Sequence, residues 1–380
     1  MRDFYFSYPT RIYFMDDALT KAKKEFEGIK KRVLLVYGQG SIKRNGIYEK
    51  VMAILKECDK EVIEFKDVMP NPTYAKVLEG IKIAKENKID FILAVGGGSV
   101  IDCAKVIASG ACYEEDLWEM EFDKKINPQR SLPLGAILTA AGTGSEMNDI
   151  GVITNEAVGI KKGMKAKAPL FSILDVGYTL SLKRQQLFSG AFDTLSHSLE
   201  CYFGNSDRDC VSDDIALAIA KNSVLNIYHL LNDENDLIAR RNLMWDSAMA
   251  ENGLTKIGKD LDFMTHKMEH QLAVYTDCNH GEGLAIIQPA YYEYIKDKAS
   301  QKMLKMSKVV FDKNTVDEGL KAFRKLIKDM GLPASFKELR SRVIIDDEIL
   351  EKVASSVSIV TTVPYVLNRE EILEILKSCR

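Results

Sequence analysis

The sequence has seven cysteines but no C-x-x-C pair, and their number is odd. That excludes a disulfide framework, a thiolate zinc knuckle and a thioredoxin-like motif, and it suits a reducing, cytoplasmic setting. Long apolar runs are missing as well. No segment approaches the ~20 apolar residues of a membrane helix, and Met1-Arg-Asp-Phe-Tyr-Phe-Ser-Tyr-Pro9 lacks the apolar stretch of a signal peptide. A membrane partner is therefore not expected. Nor is there an excess of charge of one sign: 52 Lys+Arg face 55 Asp+Glu, and the net charge of −3 gives no reason to expect nucleic acid. Internal repeats, low-complexity tracts and Gly/Ser linkers are absent.

What remains is an ordinary globular composition. Its 46% hydrophobic and 28% charged residues exclude global disorder, and 380 residues suffice for two domains at ~100–200 residues each. The first half alternates buried-strand candidates with amphipathic stretches. Val33–Tyr37, Val62–Phe65 and Phe91–Val95 read as strands, and Ile47–Cys58 and Tyr74–Asn87 as helices between them. Leu134–Leu138, Val152-Ile153 and Phe171–Leu174 add further strands, with a β-hairpin among them. Strand, turn and helix in this order predict a parallel sheet covered by helices. From Leu182 the texture turns helical, over Gln185–Tyr202, Asp213–Leu231, Leu237–Asn252 and Val316–Met330. The β-branched stretch Val357–Val366 fits neither pattern. The expectation is an α/β domain over 1–181 and an all-helical domain over 182–380.

Three glycine-rich segments follow strand candidates: Gly38-Gln-Gly-Ser41, Gly96-Gly-Gly-Ser-Val-Ile-Asp102 and Gly142-Thr-Gly-Ser-Glu146. Glycines at a strand-to-helix junction let backbone approach a diphosphate, which the free N–H groups of the helix start then receive. None is a strict G-x-G-x-x-G or a P-loop, and each alone is equally a tight turn. Together, in one α/β domain, they point to a nucleotide.

Histidine is the scarcest of the chemically active residues, with only five in the chain. Asp193 and His197 stand at i and i+4 of a predicted helix, His266 and His270 repeat that spacing, and His280 follows fourteen residues after His266. One pair alone is most simply a hydrogen-bonded helix pair. The whole set suits Zn²⁺ or Fe²⁺ with an open coordination position, because it has imidazoles and a carboxylate but no thiolates. His229, in Asn226-Ile-Tyr-His-Leu-Leu231, stands apart and reads as a surface or packing residue.

Gly-Gly-Gly-Ser-x-x-Asp at a strand end, Gly-Thr-Gly-Ser-Glu, Asp-x3-His, His-x3-His and His-Gly-x-Gly-Leu-Ala occur here in that order. The ordered set, over Tyr5 to Leu376, resembles the iron-containing alcohol dehydrogenases, and in particular their butanol dehydrogenase and NADPH-dependent aldehyde reductase branch. The resemblance implies a dehydroquinate-synthase-like fold: a Rossmann-like N-terminal domain, an all-α C-terminal domain and a cleft between them. It implies that Asp193, His197, His266 and His280 hold one divalent metal, Fe²⁺ or Zn²⁺, with His270 as an additional active-site histidine. Gly97, Gly98 and Ser99 would hold the pyrophosphate of NADP(H) or NAD(H). Thr139, Thr143, Asn148 and Lys161 match positions near its ribose and nicotinamide, and Asn71, Asp102, Tyr178 and Leu182 are further carry-overs. A homodimer or larger homo-oligomer is implied too, and Phe4–Met15 is either an edge for such pairing or an internal strand.

Two departures stand out. Strictly NAD-dependent relatives have an Asp after the first strand, where this chain has Gly38 with Ser41 and Lys43 close by, which favours NADPH. Glu269 replaces the Gly common before the second histidine of the pair; it orients His270, perturbs its pKa or faces solvent. The expected reaction is reversible hydride transfer between NAD(P)(H) and a primary alcohol or aldehyde such as butanol or butanal. Alternatives are a diol or glycerol-type dehydrogenase, a dehydroquinate-synthase-like lyase, whose phosphosubstrate pocket would need more basic residues than Lys267 alone, and a non-enzymatic module.

Overall fold

The computed structural model describes residues 2–205, 210–361, 363 and 365–380. Two compact units divide the chain: Tyr8–Leu182, and Lys183–Arg380 together with residues 1–7.

The first unit is built on a six-stranded parallel sheet. Its strands are β1 (Arg11–Phe14), β2 (Arg32–Gly38), β3 (Glu61–Val68), β4 (Phe91–Gly97), β5 (Leu134–Ala140) and β8 (Phe171–Leu174), in the order β1-β8-β5-β4-β2-β3. Val33–Tyr37, Phe91–Val95 and Ala136–Leu138 are almost wholly buried, which is why these strands read as continuous apolar runs rather than alternating ones. β1 lies at one edge and pairs with β8 alone, so Phe4–Met15 ends in an edge strand. The antiparallel hairpin is β6 (Ile150–Asn155) with β7 (Ile160–Lys165). β7, Ile-Lys-Lys-Gly-Met-Lys, was invisible to periodicity because only two of its six residues are apolar.

Because the sheet strands are parallel, Gly38, Gly97 and Ala140 all close their strands at the same end of the sheet, the end where ligands bind in folds of this kind. Gly97 leads directly into helix Gly98–Gly110, which is buried almost throughout.

The second unit is helical. Helix Arg184–Phe203 is buried on nearly every side from Leu187 onward, as a central helix must be. Phe192 stacks on Phe323, with ring centroids 5.8 Å apart, and Tyr292 packs on the same ring at 5.9 Å. Helices Met264–Thr276 and His280–Ile295 follow one another across three residues, with Asp277 in the left-handed region to make the turn. Of Val357–Val366, Thr362 and Pro364 lie outside the described residues. The rest of that stretch is neither helix nor strand, and Val357, Val360 and Val363 sink into the core one by one.

Candidate metal centre and dinucleotide site

Asp193, His197 and Glu200 form one stripe along helix Arg184–Phe203, at i, i+4 and i+7. His266 comes from the first turn of Met264–Thr276, and His280 opens His280–Ile295. Asp193 Oδ1 lies 3.5 Å from Nε2 of His266 and 3.5 Å from Nε2 of His280. These three ligand atoms sit within 4.8 Å of one another. His197 adjoins them, its ring centroid 4.3 Å from that of His266 and its Nδ1 2.9 Å from the Asp193 carbonyl.

Asp193 Oδ1 and His266 Nε2 are buried and make no hydrogen bond. Orphaned polar atoms of this kind cost free energy unless something satisfies them. A carboxylate oxygen and two imidazole nitrogens facing one point, without a thiolate, fit a divalent cation of the Fe²⁺ or Zn²⁺ type.

The other nitrogen of each histidine is taken. His266 Nδ1 hydrogen-bonds Glu200 Oε2, while Glu200 Oε1 accepts from Thr265 N at 2.8 Å. His280 Nδ1 hydrogen-bonds Glu269 Oε2. A carboxylate behind a histidine fixes the tautomer that leaves Nε2 free for a metal. Glu269 therefore does not face solvent: it is fully buried and bonded to His280, and it forms with His270 and His280 a second group whose ligand atoms lie within 4.8 Å of one another. Glu200 escaped the sequence reading altogether. Its only trace there is its place one turn beyond His197 on the stripe that starts at Asp193.

Electrostatics tell the same story. Burial opposes charging His266, but Glu200 and Asp193 outweigh it and push its pKa up to about 10. Burial likewise opposes the charge on His280, which Glu269 and Asp193 raise. Burial would raise Asp193, yet His197, His280 and His266 hold it well below the usual carboxylate range. Burial lowers His197 despite Asp193 and Glu251 beside it. Asp193, Glu200 and Glu269 thus favour positive charge at the centre, as a proton on His266 and His280 or as a cation.

His270 is half-buried on the same helix as His266, with its ring centroid 5.6 Å from His280 and 6.1 Å from His266. His229 is on the exposed face of its helix.

The α/β unit gathers the other predicted residues. Gly97 and Gly98 form the junction of β4 with helix Gly98–Gly110, and the N-cap, Gly97, has no side chain to cap it, an arrangement that suits an anion at the helix start. A side chain has no room at Gly98 and little at Gly97. A Cβ on Gly98 would lie 2.1 Å from Thr143 Oγ1, and one on Gly97 3.3 Å from Ala140 Cβ. A backbone cradle of this shape fits the pyrophosphate of a dinucleotide. Ser99 Oγ donates to the Pro70 carbonyl, anchoring the Pro70-Asn-Pro72 break beside the cradle. Lys161 Nζ donates to Asn71 Oδ1 at 3.0 Å, joining two predicted residues 90 positions apart. Thr139 is the next-to-last residue of β5, and Thr143 Oγ1 accepts from Ser145 N. Tyr178 lines a cavity of about 350 Å³ with Asn45, Lys50 and Asp175, and Leu182 ends the unit.

Three side chains have their polar atoms committed within the protein. Asp102 Oδ1 accepts from Ser145 Oγ and its Oδ2 from Val152 N at 3.0 Å. Asn148 Oδ1 accepts from Lys105 Nζ at 2.8 Å. Lys43, near Gly38 and Ser41, has its Nζ 3.4 Å from Glu64 Oε2 and 4.3 Å from the Tyr48 ring centre.

Residues 9–176 match the family model for iron-containing alcohol dehydrogenase, and residues 188–379 match the model for the C-terminal part of the same family. The chain belongs to the iron-containing alcohol dehydrogenase family. Within it, the chain is 40% identical to the NADH-dependent butanol dehydrogenase A of Clostridium acetobutylicum, with 99% of each chain covered. It is 31% identical to the NADPH-dependent aldehyde reductase YqhD of Escherichia coli, over 89% of each. A crystal structure titled NADH-dependent butanol dehydrogenase A from Thermotoga maritima superposes with a TM-score of 0.93 at 35% identity, over 100% of this chain and 99% of that one. The fold expected from the resemblance, a Rossmann-like α/β part and an all-α part, is that of these relatives.

Proposed function

We propose that this iron-containing alcohol dehydrogenase interconverts a primary alcohol and its aldehyde, such as butanol and butanal, using NAD(P)(H). The observation that carries the reading is the orphaned Asp193 Oδ1 facing His266 Nε2 and His280 Nε2, each histidine backed by a buried carboxylate. Asp193, His266 and His280 would hold the metal, with His197 beside them, and the helix start at Gly97–Ser99 would hold the dinucleotide.

A metal held by Asp193, His266 and His280 would supply Lewis-acid polarisation of the substrate oxygen, and a nicotinamide would supply or accept the hydride at the substrate carbon. The chain's own residues do the rest. Glu200 and Glu269 keep two ligand histidines in one tautomer. His270, the half-buried histidine of the set, takes the alcohol proton in oxidation and returns it in reduction. Gly97, Gly98 and Ser99 receive the diphosphate, while Thr139, Thr143 and the Lys161–Asn71 pair flank it. On this reading the α/β part binds nucleotide and the helical part binds metal.

Gly38 offers no carboxylate to repel a 2′-phosphate, and Lys43 shares its charge with Glu64, so both nucleotides are accepted, with NADPH favoured. Iron is the metal preferred here, Zn²⁺ the substitute. The protein acts in the cytoplasm as a homodimer or larger homo-oligomer.

The test uses metal-stripped protein prepared without oxygen, reloaded with Fe²⁺ or Zn²⁺ and followed by NADPH and NADH consumption with butanal. Metal-dependent oxidation is expected. No turnover with either metal and either nucleotide, despite stoichiometric metal binding, would move the substrate to diols or phosphorylated sugars.

A further inference from the structure

Lys105 is fully buried in the middle of helix Gly98–Gly110, a position where a charged group is expensive. Its ammonium is nonetheless fully used. Nζ donates to the Ser145 carbonyl at 3.0 Å, to Asn148 Oδ1 at 2.8 Å and to the Ile150 carbonyl, and lies 3.5 Å from Asp102 Oδ1. Asp102, one turn earlier on the same helix, accepts from Ser145 Oγ and Val152 N. The two charges grip the segment 145–152 at both ends.

That segment leaves the Gly142-Thr-Gly144 turn, whose two glycines have φ of 152° and 58°. The turn carries Thr143, against which the Gly98 backbone packs. So the helix that offers its N-terminus to a diphosphate also holds, through Lys105 two turns further on, the loop that forms the other wall of the cradle. An apolar residue of similar length would fill the same space without the cost of a buried charge, but it would leave the Ser145 and Ile150 carbonyls without their donor.

We infer that Lys105 is a positioning residue for the dinucleotide, holding the Thr143–Asn148 loop in its binding shape before the nucleotide arrives. This rests on the reading of Gly97–Ser99 and Thr143 as the nucleotide cradle. A preformed loop spares the nucleotide the cost of ordering it, so Lys105 acts on affinity and not on the chemical step.

The experiment compares the wild-type full chain with Lys105→Met and with Ser145→Ala, which removes only the hydroxyl link to Asp102. NADH affinity is read by fluorescence on metal-free protein, amide exchange is followed over 143–152, and KM and kcat are measured on metal-loaded protein. Lys105→Met is expected to raise Kd and KM for the nucleotide about tenfold, the size of one lost charge-assisted hydrogen bond. Saturating kcat and metal content should stay within about twofold of wild type. Exchange over 145–150 should be faster in the free variant and slow again once NADH saturates it. Ser145→Ala, which keeps the lysine and its bonds, should move Kd in the same direction by less, and it carries the test if Lys105→Met does not fold. Unchanged nucleotide affinity in whichever variants fold, or a loss confined to kcat, would overturn the role of Lys105 alone. Wild-type protein that binds neither NADH nor NADPH would overturn the cradle reading and this inference with it.

Discussion

Glu269 is fully buried and hydrogen-bonds through Oε2 to Nδ1 of His280. Gly283, one turn into the helix that His280 begins, makes this possible: a Cβ there would lie 2.8 Å from Glu269 Cγ and 3.3 Å from its Oε1. The acid, the histidine and the glycine form one unit. Glu269→Ala should weaken metal binding about 10- to 100-fold, the usual cost of losing a carboxylate behind a ligand histidine. Glu269→Gln, which keeps an acceptor, should weaken it less. Competition with a chromophoric chelator measures both, and unchanged affinity in the alanine variant would remove Glu269 from the site.

The pH dependence of metal uptake follows from the same carboxylates. In metal-free protein Glu200 and Asp193 raise His266 to about 10 and Glu269 and Asp193 raise His280, so at neutral pH a metal must displace the proton on His266. Apparent affinity should therefore rise with pH up to about 10, roughly tenfold per unit for each proton released. In metal-free protein the sign is opposite for stability. The raised His266 stabilises the fold fully below its unfolded pKa of about 6.5, and that contribution is lost as pH climbs through about 10. Calorimetry of Fe²⁺ or Zn²⁺ binding in buffers of different ionisation enthalpy counts the protons; zero release at pH 7 would contradict the assignment.

Glu146 is a second buried acid with a different fate. It is fully buried, neither carboxylate oxygen has a hydrogen-bond partner, and burial pushes its pKa up to about 7 although its own N–H and Lys105 work against this. A raised carboxyl pKa means that stability falls as pH rises from about 4.5 to about 7 and is level above. Glu146→Gln removes the ionisable proton. The variant should match wild type near pH 4.5 and exceed it at pH 8 by up to about 3 kcal/mol, the order set by the shift. Denaturant unfolding at the two pH values decides this.

Gly98→Ala tests the cradle. Its Cβ would stand 2.1 Å from Thr143 Oγ1, so the loop must move away from the helix start. KM for the nucleotide should rise by tenfold or more, as a cavity-scale displacement of the binding backbone requires. Bound metal per chain should stay at the wild-type level. Loss of metal together with nucleotide would mean that the variant disrupts the fold and not the cradle.

The strand-and-helix alternation up to Leu174 and the long helices after Leu182 were legible in the sequence, since buried parallel strands are continuous apolar runs and core helices repeat every three to four residues. The candidate metal set was legible for a related reason. Spacing on a helix is geometry, so Asp193 with His197 and His266 with His270 were bound to share faces wherever those helices packed. Scarcity helped, because five histidines leave little noise. The strand Ile160–Lys165 was hidden because its stability comes from pairing with Ile150–Asn155 and not from its own apolar content.

Tertiary structure alone decided which atoms finally meet. Glu200 reaches His266 from 66 residues away, Lys161 reaches Asn71 from 90, and Lys105 grips a loop some 40 residues downstream. A buried carboxylate or ammonium is tolerated only where a partner is delivered to it, and that delivery depends on how helices and loops pack, which no local spacing encodes. The sequence by itself determined the elements and the candidate ligands they carry; packing decided that the buried Glu269 reaches His280, on the helix that follows the turn at Asp277.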